Sequence, residues 1–325
     1  MTLSRRGFLA GATASGGVAL AAPAFAQSYP SAGPIRLIVP FGPAGPVDIL
    51  ARIIVDPLAK QLGQSIVIEN RGGAGGNIGI AAAARSKPDG YTLLLCSSTL
   101  VVNPLLYKSV PFDPYKDFVP ISLLGTSPTL MLAKHEFAKG MRDFIAKAKA
   151  APGKFNFSTP GIGTKGHFAV ELLKLRAGID IVHVPYPSGG QVTQSLLTGT
   201  TQLGSTALPA GEPLVKGGTL AGLAVGAAKR WRTLPDVPTL IELGYADFVA
   251  EIFTALMAPA GTPPDIVSLL VAEVGKLVKD PAVVEKAERA GYQWIGAGPE
   301  ALRKAMAAEV AQSREVIKGA GLKAQ

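Results

Sequence analysis

Strand-length apolar runs alternate with helix-period stripes along this chain. Residues 35–39 (Ile35-Arg36-Leu37-Ile38-Val39) read as a strand and run into a Gly/Pro loop. Leu50, Ile54 and Leu58 then recur four apart, with Ile49, Ile53 and Leu62 widening the stripe, which predicts a helix. Pro57, late in that stripe, predicts a kink or an early end. A second strand over 65–69 is followed by a glycine-rich loop and an alanine-rich helix around 80–85. Residues 91–97 are almost continuously apolar, as a strand buried on both faces should be. This β-α-β-α-β order predicts a parallel sheet with right-handed crossovers. The pattern restarts with helices over 141–150, 167–176 and 191–197 and strands over 155–158, 181–184 and 220–225. Two helical segments, 264–278 and 300–317, close the chain. Extended stretches at 121–133 and 253–259 join the two α/β units, which predicts two lobes with two crossovers and a ligand crevice at the carboxyl ends of the strands.

Composition narrows the function. Hydrophobic residues make up 48% of the 325 and charged ones 17%, which excludes a disordered chain and allows two ordinary cores. A single cysteine, Cys96, excludes a disulfide framework, and three widely spaced histidines argue against a metal site. No cofactor is expected. The amino terminus carries Ser4-Arg5-Arg6-Gly7-Phe8-Leu9, a weakly apolar Gly/Ala segment, and Ala24-Phe25-Ala26 before Gln27. This predicts a twin-arginine export signal over 1–26, cleaved near Ala26, and a periplasmic mature protein. Removing Arg5 and Arg6 lowers the formal charge from +9 to +7. The basic residues are dispersed, so no nucleic-acid partner is expected, although the positive field would gather small anions.

Three loops carry candidate chemistry. Phe41-Gly42-Pro43-Ala44-Gly45-Pro46-Val47-Asp48 leads from the first strand into the first helix, where free N–H groups can hold an anion and Asp48 can cap. The loop 70–79 tempts one to see a dinucleotide fingerprint, but Ile78 stands where G-x-G-x-x-G requires glycine. Ser97 and Ser98 end the third strand, and Gly163, Thr164, Lys165 and His167 follow a strand of the second unit. The G-x-S-x-G elbow of a serine nucleophile is missing, which leaves a chance pairing of Ser97 or Ser98 with His167 as the one catalytic option. Cys96 reads as a buried strand thiol and His183 as structural.

The stretches IRLIVPFGPAGPVDILAR (35–52), ENRGGAGGNIG (69–79), PDGYTLL (88–94), VHVPY (182–186), LPDVPT (234–239) and APAGTP (258–263) together resemble the substrate-binding proteins of tripartite tricarboxylate transporters, the group named after the Bordetella uptake gene. The resemblance covers essentially the whole mature chain. It implies an α/β, type II-like periplasmic binding protein with two lobes, each a mainly parallel sheet flanked by helices. Lobe 1 would take residues 27–127 and 253–325, and lobe 2 residues 128–252. It further implies a non-catalytic monomer that closes over a small organic carboxylate and delivers it to membrane permease subunits. Carried over residue by residue, the ligand contacts fall on Phe41 to Asp48, Ser97, Ser98, Gly163, Thr164, His167, Thr206, Ala207 and Phe253. Here the first loop reads Ala44-Gly45 where a double glycine is common, and Thr206 stands where members often carry an acid. With Lys165 as an added positive charge, Thr206 predicts some preference for dicarboxylates. The rival functions are a periplasmic hydrolase and a ligand sensor docking on a membrane receptor.

Overall fold

The computed structural model describes residues 29–320. The export signal expected over 1–26 lies outside the described residues. Strands β1 (Ile35–Val39), β2 (Ile66–Asn70) and β3 (Thr92–Ser97) form a parallel set in the order β2-β1-β3. Helix α1 (Pro46–Leu62) crosses from β1 to β2, and α2 (Asn77–Ala84) crosses from β2 to β3. The second parallel set is β6-β5-β7, from β5 (Asn156–Thr159), β6 (Val182–Pro185) and β7 (Leu203–Ala207). Helices α5 (Lys165–Ala177) and α6 (Gly189–Leu197) make its crossovers, after α4 (Met141–Ala150).

One long strand joins the two sets. β4 (Phe118–Ala133) pairs antiparallel with β9 (Glu251–Pro259) from Phe118 to Pro128. From Thr129 onward its partners are β7 and β8 (Ala221–Val225). The switch falls at Pro128, which has no N–H to give to either ladder. The pairing register also shifts after Pro120, again where a donor is missing. β10 (Gln293–Ala297) adds a further strand to the first half of β4. The result is one curled, mixed sheet divided between two lobes, with β4 and β9 as the two crossings.

Each half of the sheet is covered on both faces. In lobe 1, α1, α8 (Pro264–Leu277) and α9 (Pro281–Arg289) cover one face with Leu50, Ile54, Leu270 and Val283. α2, α3 (Thr99–Leu106) and α10 (Pro299–Ala320) cover the other with Ile80, Leu100 and Leu302. In lobe 2, Phe144, Phe157 and Leu173 pack on one face, and Leu130, Leu196 and Leu208 pack on the other, the last from α7 (Leu208–Lys216).

Helix α1 runs unbroken through Pro57 to Leu62, contrary to the kink or early end expected from that residue. Its apolar stripe, Leu50, Ile54, Leu58 and Leu62, is buried before and after the proline, and this packing outweighs the lost backbone bond. Gly63, at φ 66°, ends it in the left-handed conformation and returns an N–H to Ala59. Sequence patterning missed α3, β7, α7, α9 and β10, all short and two of them, α3 and α7, interrupted by proline.

Candidate functional site

Five helices begin around one cleft between the lobes. α1 starts at Pro46, whose missing N–H costs nothing there, and its first-turn Val47 faces the cleft. α3 presents Ser98 and Thr99, α5 presents Thr164 to Gly166, α6 presents Gly189, and α7 follows Ala207. The first N–H groups of each have no partner inside their own helix, and each end carries roughly half a positive charge. Thr164 caps α5 by accepting from the His167 N–H at 3.4 Å. Ser188 caps α6 by accepting from the Gln191 N–H at 3.3 Å.

The crossing strands build the floor. Ser127 of β4 and Ile252 and Thr254 of β9 face the cleft beside Tyr292, whose hydroxyl donates to the Pro46 carbonyl at 2.6 Å. Phe41 and Pro160 wall the two sides. The cleft holds about 520 Å³ free of protein atoms, its open mouth included. Thr206 is fully buried, faces this space, and its Oγ1 has no hydrogen-bond partner. Gly189 is there because nothing larger fits: a Cβ would stand 2.5 Å from Thr206 Oγ1 and 3.2 Å from Pro46 Cδ of the opposite lobe.

The lobes also meet outside the cleft. The Gly42 N–H donates to the Pro187 carbonyl at 3.4 Å, and the Tyr107 hydroxyl to the Ile162 carbonyl at 3.4 Å. Gly75 lies so close to Ile162 that a Cβ would come 2.5 Å from its carbonyl oxygen. Gly163, at φ 84°, packs against Asn103 with room for no Cβ either. Such backbone-to-backbone approach explains the glycine-rich loop 70–79, whose spacing excluded a nucleotide site.

The sequence-derived candidates divide into three groups. Phe41, Val47, Ser97, Ser98, Thr164, Lys165, Thr206 and Ala207 do line the cleft. Gly42, Pro43, Ala44, Gly45 and Asp48 shape the first loop rather than face the space. Asp48 is 1% exposed, and both its oxygens are taken. Oδ2 accepts from the Ala44 N–H at 2.9 Å and Arg52 Nε at 2.8 Å. Oδ1 accepts from Arg52 Nη2 at 3.2 Å and Asn70 Nδ2 at 3.0 Å. Asn70 also donates to the Phe41 carbonyl at 3.1 Å, so the loop is clamped at both ends. Burial alone would raise the Asp48 pKa, but the bonds from Arg52, Asn70 and Ala44 outweigh it and hold the carboxyl below its ordinary range. Ala44 sits at φ 59°, the left-handed conformation glycine takes more readily, held by that bond to Asp48.

Three candidates lie elsewhere, the first being Gly163, which packs against Asn103 where the lobes meet and does not line the cleft. Phe253 lies in the lobe 1 core, because alternation along β9 turns Ile252 and Thr254 toward the cleft and Phe253 to the other side. His167 stacks on His183 with ring centroids 4.4 Å apart, and its Nδ1 is buried without a partner. Burial, with a contribution from Lys174, lowers its pKa to about 4. Burial, then His167 and Lys174, lowers that of His183 to about 3, while Thr159 Oγ1 lies 2.7 Å from His183 Nε2. Among the described residues no hydrogen bond joins His167 to Ser97 or Ser98; Ser97 instead pairs with Thr99 at 3.1 Å. Cys96 is fully buried with its Sγ 3.8 Å from the Ala255 carbonyl, and burial pushes its pKa up.

Lys165 does not supply a free charge. Its Nζ lies 2.8 Å from Glu309 Oε1 and 2.9 Å from Gln312 Oε1, both on α10, with lysine and glutamate almost fully buried. The dicarboxylate preference inferred from an unpaired lysine loses that support. Sequence reasoning missed Thr99, Ser127, Gly189, Ile252, Thr254 and Tyr292. Alternation along β9 puts Ile252 and Thr254 on one face without saying which face meets the cleft, and nothing in the sequence pointed to Tyr292.

Two α/β lobes bridged by two strands, with helix amino termini meeting in the cleft between them, define a two-lobed periplasmic binding protein. The chain belongs to the tripartite tricarboxylate transporter family receptors, whose family model matches residues 50–322. It is 38% identical over 307 residues to protein BugT of Bordetella pertussis, covering 94% of each chain. The structure of the periplasmic binding protein BugD superposes with a TM-score of 0.87 at 32% identity, over 91% of this chain and all (100%) of that one. An R. palustris protein solved with adipate gives 0.88 at 31% identity, over 91% and 100% of the two chains. MatC of Rhodopseudomonas palustris, with bound malate, gives 0.83 at 29%, over 88% and 99%. The family is one of solute-binding receptors, not enzymes. Among the described residues no helix is long and apolar enough to cross a membrane.

Proposed function

We propose that this protein captures a small organic carboxylate between lobe 1 (27–127 with 253–325) and lobe 2 (128–252) and hands it to the membrane subunits of a tripartite transporter. It acts in the periplasm as a monomer after removal of residues 1–26, and it turns nothing over. The observation carrying this reading is the convergence of five helix amino termini on one cleft that also holds the unpartnered Thr206 hydroxyl. Backbone N–H groups answer a carboxylate without a cationic side chain, each charged hydrogen bond contributing about 1.5–3 kcal/mol. Phe41, Val47 and Ile252 supply apolar walls for a carbon skeleton. A ligand touching both lobes favours the closed arrangement by its differential contacts. The adipate and malate of the two relatives are of the expected chemical class.

A thermal-shift screen of the mature protein against a library of mono-, di-, tri- and aromatic carboxylates tests the proposal. At least one acid should raise the melting temperature in proportion to the logarithm of its concentration. If every acid leaves it unchanged, or if one is chemically converted, the reading fails.

A further inference from the structure

We propose that a backbone seam at the rim, Gly75 and Tyr107 of lobe 1 against Gly161 and Ile162 of lobe 2, latches the closed arrangement and sets how long a bound acid is held. The inference rests on the carboxylate reading above, but the latch lies outside the ligand space. These four residues line a separate groove, together with Pro185, Tyr186 and Pro187, and are not among those lining the cleft.

Strand order gives this seam its leverage. The sheet runs β2-β1-β3-β9-β4-β7-β5-β6, so the crossing strands β9 and β4 sit at its centre. Gly75 follows β2, at one end of that order, and Gly161 and Ile162 follow β5, next to the other end. Three strand spacings separate β2 from β9, about 14 Å in all. A rotation of the lobes about the crossings therefore displaces the rim much more than the hinge. Contacts at the rim form on closing and break on opening, while those beside β4 and β9 change least.

The seam is built for close approach. Gly75 sits at φ 65°, and its carbonyl accepts from Asn103 Nδ2 at 3.0 Å, which holds the loop in place. A Cβ on Gly75 would stand 2.5 Å from the Ile162 carbonyl oxygen and 2.8 Å from the Tyr107 hydroxyl, and one on Gly161 would stand 3.1 Å from Gly75 Cα. The Ile162 carbonyl is backbone of the opposite lobe and cannot turn aside as a side chain would, so the lobes would have to part. The Tyr107 hydroxyl donates to that same carbonyl at 3.4 Å, and the Gly42 N–H donates to the Pro187 carbonyl at 3.4 Å as a second tie across the rim. Gly63 supplies a matched comparison. It has the same left-handed conformation, φ 66°, yet a Cβ there meets nothing within 4 Å among the described residues.

Energy transfer between dyes on Lys60→Cys of α1 and Lys149→Cys of α4, both exposed positions, reads the separation of the lobes, and the buried Cys96 stays unlabelled. The probes are malate, adipate, citrate and benzoate, added to saturation and then removed by rapid dilution. Gly75→Ala should stay more open at saturation and reopen at least about tenfold faster than wild type, because the crowding falls only on the closed arrangement. Tyr107→Phe should reopen about threefold faster through the loss of one hydrogen bond between the lobes. Gly63→Ala carries the same backbone strain but faces no other lobe, and should match wild type within about twofold. If Gly75→Ala closes fully and reopens at the rate of Gly63→Ala, the latch is overturned while the carboxylate reading stands. Where Gly75→Ala does not fold, Tyr107→Phe decides, and reopening at the wild-type rate overturns the proposal. Failure of all four acids to bind overturns the carboxylate reading and the latch with it.

Discussion

Asp48→Asn is the most direct probe of how the first loop is held. The side chain keeps its shape, but all the groups facing it are donors: the Ala44 N–H, two nitrogens of Arg52 and Asn70 Nδ2. Whichever way the new amide turns, its NH2 meets two donors. Asn70 cannot flip to help without giving up the Phe41 carbonyl. Losing one partner of a buried pair costs about 3–5 kcal/mol, but the Arg52 side chain is 60% exposed and regains water, so we expect roughly 2–4 kcal/mol. The sign with pH follows from the lowered Asp48 pKa. Its contribution is complete above the unfolded carboxyl pKa of about 3.9 and disappears as pH falls through the lower folded value. Urea unfolding of both proteins at pH 7, then at steps down to pH 2.5, reads the difference. It should be largest at neutral pH and shrink in acid. A variant within about 0.5 kcal/mol of wild type at pH 7, which is the range of an ordinary surface substitution, would refute the clamp.

Other expectations concern the core and the far side of the lobes. Lys165→Met should cost about 3–5 kcal/mol by leaving Glu309 buried without its cation, and the pair Lys165→Met with Glu309→Leu should recover most of it in the same unfolding assay. His167 and His183 are neutral in the fold and become protonated near 6.5 when unfolded, so they subtract stability as pH drops below that value toward their depressed folded ones. Between pH 6.5 and 5 the loss should be about 2 kcal/mol per histidine, and His183→Gln should flatten the slope of stability against pH. Phe253→Ala should lower stability by about 3–5 kcal/mol through a core cavity, whereas Ile252→Ala should chiefly weaken ligand affinity measured by calorimetry.

Much of the architecture was legible in the one-dimensional pattern. Apolar runs and four-residue stripes located the main crossover helices, the first parallel set and two strands of the second, β5 and β6, because burying such faces leaves few other arrangements; β7 went unseen, and the strand read at 220–225, β8, pairs antiparallel with β4 instead of joining the parallel set. The two extended stretches at 121–133 and 253–259 marked the crossings, β4 and β9. The glycine-rich and proline-rich loops marked where helices begin, and helix beginnings are what the cleft is made of. Local pattern did not show which way each side chain on those segments points. Phe253 and Ile252 are neighbours in sequence but lie on opposite faces of β9, and only the pairing of β9 with β3 and β4 fixes which face meets the cleft. Lys165 looked free because its partner, Glu309, is 144 residues away on α10. Asp48 looked like a ligand contact because a carboxylate at a helix start is a local signal, whereas Asn70, which helps turn it into a clamp, arrives with a different strand. The chain alone therefore determined the longer elements and the positive ends of α1, α5 and α6, which depend on neighbours in sequence. The tertiary structure alone decided which hydroxyls, cations and rings face the ligand space, because those assignments depend on partners brought together from distant segments.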